Sequence, residues 1–362
     1  MKKQLGTMSI LCFFAISAVS FAESHVDEHG NAIIGTRTHS AVFNVGGTLE
    51  AFLVGLSENE VNRIVPGSMD FLNIVQPYDA EKTAGMADGC GLATIANMLA
   101  YTGWGDVNDF KTADDIFAYY CTTRFPDVVG LYAGVEWFIT GNYSVQRHFP
   151  DIDVTPFINK GGFHPRVNYQ TIAKVNENIR DVANITNIVN LLKTGGAIGL
   201  IIEWRERPGL PRFATHAMPV WGVIYDTAKR PTDRGYYTAL LVNCSANHHG
   251  MGVQAPNVLQ CYAIEWNNSI RRYNMDYMYD GKAAELWYYY ALAPRPDYRQ
   301  RLIRNHRRLD GTSQTITEPI TVEKDNPVTH SAPALALRTP PTLGIATIPA
   351  GSPQHRGRKS AL

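Results

Sequence analysis

The chain has 362 residues, 33 acidic and 33 basic side chains, and a hydrophobic fraction of 45%. Balanced charge offers no bulk argument for nucleic acid or an anionic membrane as a partner, and the length suffices for one sizeable core or two closely packed lobes. Five cysteines are too few for a disulfide framework in a chain this long.

The N-terminus reads as a processing signal. Lys2 and Lys3 form a charged start, residues 10–19 an apolar stretch, and Ser20-Phe21-Ala22 a small-residue cleavage site, so residues 1–22 are expected to be removed. The apolar run is too short for a membrane span, and no later stretch replaces it. The expected product is secreted and soluble, begins near Glu23, and has no membrane partner. Cys12 leaves with the signal. If Cys90 stays reduced, then Cys90, Cys121, Cys244 and Cys261 allow one bridge at most.

Residues 23–67 are mixed, with short apolar runs at Ala41-Val42-Phe43 and Ala51-Phe52-Leu53-Val54 that read as an N-terminal arm or edge strands. A helix is predicted from Cys90, because Leu92, Ile95 and Leu99 recur at helical spacing, with Ala93, Ala96 and Ala100 as small packing positions. It should end near Thr102-Gly103. A cysteine at a helix start meets unpaired N–H groups and a partial positive charge, both of which favour a thiolate. Gly89 and Gly91 allow close approach to the sulfur. The same segment would also serve a buried structural cysteine capping a core helix. Thr112 and Asp115 stand at capping-box-like spacing before a second helix. A third is predicted around residues 135–139, closed by Gly141, and a fourth around residues 188–193, closed by Gly195-Gly196.

The texture then changes to strands at residues 197–204, 217–225, 236–243 and 286–292, with a polar turn-rich loop at residues 226–235. Pro219 hints at a bulge or an unpaired edge position. Helices followed by a largely antiparallel sheet predict an α+β class. Arg295, Arg299, Arg301, Arg304, Arg307 and Arg308 read as a solvated surface helix rather than a polyanion patch. Residues 309–362 read as a disordered tail rich in Pro, Thr and Ser.

A nucleophilic cysteine needs a base and a third group that orients the base. His216, placed where a loop enters the strand at Ala217, is the candidate base. Asn243, at the end of the next strand, is the candidate orienter, since antiparallel pairing would bring it beside His216. Taken singly, His216 also reads as a surface loop histidine and Asn243 as a turn residue. His248-His249 lacks a partner cluster at ligand spacing, so no metal is expected. No dinucleotide or phosphate-cradling loop is apparent, and no cofactor is expected. Residues 287–290 read as aromatic core.

These settings resemble papain-like cysteine peptidases, and more closely the secreted immunoglobulin-G-cleaving endopeptidases of the Mac/IdeS family. The resemblance rests on Tyr78-Asp79-Ala80-Glu81-Lys82-Thr83, Cys90-Gly91 with Asn97-Met98-Leu99, Trp137-Phe138-Ile139-Thr140-Gly141, and Ala197-Ile198-Gly199-Leu200. It continues with His216, Val220-Trp221-Gly222 and Val242-Asn243-Cys244-Ser245. It implies a papain-like domain over residues 23–308 with its catalytic core at about 78–292, the nucleophile helix packed on the sheet. It also implies Cys90 as nucleophile, His216 as general base and acid, and an oxyanion hole from Lys82 and the Cys90 backbone N–H. Lys82 alone reads as an exposed loop lysine. Asn243 and Ser245 stand where the family has aspartates, so Asn243 can orient the imidazole but supplies no charge. The implied function is a secreted endopeptidase acting on a protein such as host immunoglobulin G. The alternatives are an amidase or acyl/glutaminyl transferase on the same site, and a catalytically degenerate binding protein.

Overall fold

The computed structural model describes residues 34, 39–74, 89–126, 130–142, 151–176, 178–205, 212–244, 259–279, 281–296, 298 and 306–309. All lie in a compact unit, Met1–Thr317; a second unit, Glu318–Leu362, contains none of them. The signal segment, Lys82, Ser245, His248-His249 and residues 310–362 also fall outside the described residues.

The chain opens with a hairpin, β1 (His39–Gly46) and β2 (Leu49–Leu56), and a short helix α1 (Glu58–Arg63). Three helices follow: α2 (Cys90–Thr102), α3 (Ala113–Thr122) and α4 (Gly130–Thr140). After α5 (Tyr169–Ile172), β3 (Ala173–Asn176) and α6 (Val182–Lys193), the rest is strand. These strands are β4 (Ala197–Arg205), β5 (Arg212–Asp226), β6 (Tyr237–Val242), β7 (Gln260–Asn267), β8 (Arg272–Tyr279), β9 (Lys282–Leu292) and β10 (His306–Arg308).

The helix ends follow from local chemistry. Thr112 and Asp115 cap α3 reciprocally, as their spacing predicted, and Gly103 closes α2 at φ 78°. Asp181 and Asn184 cap α6 in the same way, which starts that helix six residues before the predicted run at Ile188.

The expected α+β, papain-like arrangement is overturned by how the strands close. In the order β5-β4-β9-β8-β7-β6, every neighbouring pair is antiparallel, and β6 pairs back onto β5. The result is a closed six-stranded antiparallel barrel, mostly sheet with few helices, rather than an open sheet backing a helical half. Closure leaves no free edge within the ring. Two of its staves, β7 and β8, lie in segments that carry no long apolar run. In β8, Tyr273, Met275 and Tyr277 are buried while Arg272, Asn274 and Asp276 face outward, an amphipathic alternation that a search for apolar runs passes over.

The long strand β5 holds the ring to the N-terminal hairpin. It pairs with β4 as far as Val220, and β2 takes over the same edge from Gly222. The register with β6 shifts between Val220 and Gly222, a bulge one residue beyond the proline. A side chain at Gly222 would collide with the Phe52 carbonyl, so the hand-over needs glycine. On β4, a Cβ at Gly199 would fall 2.6 Å from Leu131 Cδ1 and 2.9 Å from Met98 Sδ. That close approach seats α2 against the barrel wall.

Within the basic stretch Pro296 and Tyr298 are helical, whereas its C-terminal end is a strand. His306, Arg307 and Arg308 form β10, which pairs in parallel with β1. Arg307 contacts Glu58 and Arg308 contacts Glu50, each at 2.6 Å. These charges fasten an edge strand instead of facing solvent alone. No helix among the described residues is long and apolar enough to cross a membrane.

Candidate functional site

Cys90 is the first residue of α2, with Gly89 as its N-cap and no side chain capping the helix. From Leu92 to Thr102 every residue of α2 is buried, whereas Cys90 is partly exposed. The thiol therefore sits at the accessible positive end of a buried thirteen-residue dipole. Thr94 Oγ1 donates to the Cys90 carbonyl at 2.8 Å, tightening this first turn.

His216 is buried, with 8% of its surface exposed. It lies inside β5, opposite Ile202 of β4, and not at a loop-to-strand boundary as its sequence context implied. The strand begins at Arg212, before the apolar run that suggested its start.

Asn243 follows β6 directly, on the strand expected to pair with that of His216. Its side chain does not orient the imidazole. Both amide atoms are buried, with no hydrogen-bond partner among the described residues. The residue that meets His216 is the next one. His216 Nε2 lies 3.1 Å from Cys244 Sγ.

Strand parity explains the exchange. Val242 is opposite Val220, and Asn243 N donates to Pro219 O at 3.3 Å. Alternation then puts Cys244 on the face of Val220, Met218 and His216, and Asn243 on the other face. That signal was available from the sequence once the register was known.

Tyr277 of β8 completes the cluster. Its hydroxyl is 3.2 Å from Cys244 Sγ, and its ring stacks on His216 with centroids 5.7 Å apart. Burial first, then the Cys244 and Tyr262 side chains and Cys90, push the Tyr277 phenol well above the usual tyrosine range. It therefore keeps its proton, and either the phenol or the Cys244 thiol can be the donor in this contact. Tyr277 was missed because its strand was missed.

No family model matches the chain, and no curated protein matches it.

None of the four described cysteines is joined in a disulfide. Burial raises Cys261 to about 11, which keeps it a neutral thiol near neutral pH. No group of three or more His, Cys, Asp or Glu that could hold a metal occurs among the described residues. Lys82 and Ser245 lie outside them. The aromatic segment at residues 287–290 divides: Tyr289 and Tyr290 are core, while Trp287 and Tyr288 are partly buried.

Chemically, the arrangement offers a partly exposed thiol on a helix dipole and a buried imidazole. The Nε2 of that imidazole faces a sulfur which in turn faces a protonated phenol. A ring whose Nε2–H points to the Cys244 sulfur carries its basic lone pair on Nδ1.

Proposed function

We propose that this protein is an exported thiol endopeptidase in which Cys90 attacks a peptide carbonyl and His216 transfers the proton. The observation that carries this reading is the partly exposed Cys90 thiol at the N-terminus of the buried helix α2, with the buried His216 imidazole as the candidate base. The order of short motifs shared with immunoglobulin-G-cleaving endopeptidases supports the same chemistry. It carries the substrate less far, because selecting one folded protein takes contacts beyond the catalytic residues.

In this mechanism Cys90 Sγ loses its proton to His216 Nδ1, and the thiolate forms a C–S bond to the carbonyl carbon. The helix N-terminus and the Cys90 backbone N–H stabilise the oxyanion. Collapse of the tetrahedral intermediate breaks the C–N bond, and the imidazolium gives its proton to the leaving amine. Water then hydrolyses the thioester, with His216 again as base. Cys244 replaces the expected Asn243 as the group behind the imidazole.

The test is incubation with a panel of purified proteins that includes immunoglobulin G, followed by fragment mass analysis, with Cys90→Ala as the control. A thiol-reactive peptide electrophile is applied in parallel. The reading expects fragments from the wild type only and selective labelling of Cys90 near neutral pH. Cleavage that persists in Cys90→Ala, or failure of Cys90 to label, would overturn it.

A further inference from the structure

Away from the thiol cluster, a cavity of about 750 Å³ is lined by Arg180, Arg234, Arg271 and Arg272 together with Trp266 and Asn268. It collects residues from three separate places: the approach to α6, the β5–β6 connection, and the turn between β7 and β8. Arg272 and Tyr277 are five residues apart on one strand, roughly 16 Å at strand rise. They also face opposite sides of it, so the cavity is not part of the thiol site.

Charge is what sets this cavity apart. Arg272 is neutralised by Glu203 and Glu285. Arg180, Arg234 and Arg271 make no ion pair with a carboxylate among the described residues. The acids beside two of them in sequence are engaged elsewhere. Asp181 caps α6 by accepting from Asn184 N at 3.1 Å, and Asp233 pairs with Arg230 at 3.1 Å. Arginine does not shed its charge to relieve the crowding. Three guanidinium charges therefore surround one cavity, with no acid among the residues that line it.

The walls are held in place. Tyr273 donates to the Arg234 carbonyl at 2.9 Å, and the Arg234 guanidinium lies 4.2 Å above the Trp266 ring. Trp266 Nε1 donates to Asn268 Oδ1 at 2.9 Å, and Arg180 N donates to Asn184 Oδ1 at 3.0 Å. Arg271 adopts the left-handed region at φ 54° in the turn before Arg272.

We infer that this cavity binds the phosphate or pyrophosphate group of a small molecule. Guanidinium groups pair with phosphate oxygens in a two-pronged geometry. Three uncompensated charges match an anion of two or three negative charges better than a monocarboxylate. The volume is that of a small-molecule pocket.

The experiment titrates the full chain with inorganic pyrophosphate at constant ionic strength, following tryptophan fluorescence and calorimetric heat, with acetate as the comparison anion. The expected result is saturable pyrophosphate binding that is much weaker for acetate. In the double variant Arg180→Gln, Arg271→Gln, Kd should rise at least about tenfold, while Cys90→Ala should bind as the wild type does. Melting of the unliganded double variant should match or exceed the wild type, since repulsion is relieved. Absence of saturable binding, or equal affinity in the double variant, would overturn the proposal. So would equal affinity for acetate.

Discussion

His216 and Cys244 meet through Nε2 and Sγ at 3.1 Å, on the shared inner face of two antiparallel strands. A thiol sulfur is a weaker acceptor than an amide or carboxylate oxygen, so it orients the ring with less force than the group it replaces. Cys244→Ala should lower kcat on a sensitive peptide by about tenfold to a hundredfold, with KM nearly unchanged. Cys244→Asn, which restores an oxygen acceptor at that position, should retain more activity than the alanine variant. Nitrogen-resolved NMR of the imidazole gives a second readout: the proton on Nε2 should be present in the wild type and no longer favoured in Cys244→Ala. An unchanged kcat in Cys244→Ala would remove the sulfur from the mechanism.

Tyr277 carries two separable contributions. Its ring stacks on His216 and lies 5.6 Å from the Trp204 ring, while its hydroxyl serves Cys244. Tyr277→Phe keeps the ring and deletes the hydroxyl, so stability should fall by only about 0.5–1.5 kcal/mol. Tyr277→Ala should cost about 3–5 kcal/mol. Denaturant unfolding separates the two variants, and equal losses would show that the ring packing contributes little.

Glu203 is fully buried and accepts from both Arg205 and Arg272, with Glu285 nearby. Burial raises the Glu285 carboxyl, with Arg272 opposing it, Glu203 adding to it and Arg205 opposing it again. Glu203→Gln leaves two partly buried guanidiniums around a neutral amide and should destabilise the fold by about 3–5 kcal/mol. Chemical denaturation measures this loss, and a change below about 1 kcal/mol would show that the arginines relax into solvent.

Acid should weaken the attachment of β10. Burial lowers the pKa of His306 below its ordinary value of 6.5, with Lys193 and Arg308 adding to the effect. The unfolded chain then takes up this proton at higher pH than the folded one does. The stability linked to His306 is complete above pH 6.5 and declines as pH falls from there through the lowered folded value. Melting between pH 7.5 and 5 should show a loss that His306→Gln removes. An identical pH slope in that variant would assign the loss to other groups.

Local chemistry was readable without coordinates. The α2 boundaries, the capping box of α3 and the glycine stop after α4 follow from contacts within four residues, and the structure reproduces each. The strands at β4, β5, β6 and β9 were visible as apolar runs, though β5 and β9 begin earlier than those runs do. The amphipathic staves β7 and β8 were not, and with them went the barrel and Tyr277.

By itself, then, the sequence determined where Cys90 stands: at the start of a helix, where dipole and glycine neighbours act over a single turn. It also singled out His216, though at a loop-to-strand boundary, whereas the residue lies inside β5. Only the tertiary structure decided which side chain faces that histidine. A shift of one residue along a strand moves a side chain to the opposite face, and the choice between Asn243 and Cys244 rests on that parity. The arginine cavity depends on tertiary structure for a different reason. Arg180, Arg234 and Arg271 are far apart in the chain, and the packing of the β5–β6 connection, the β7–β8 turn and the approach to α6 is what sets their charges around one cavity.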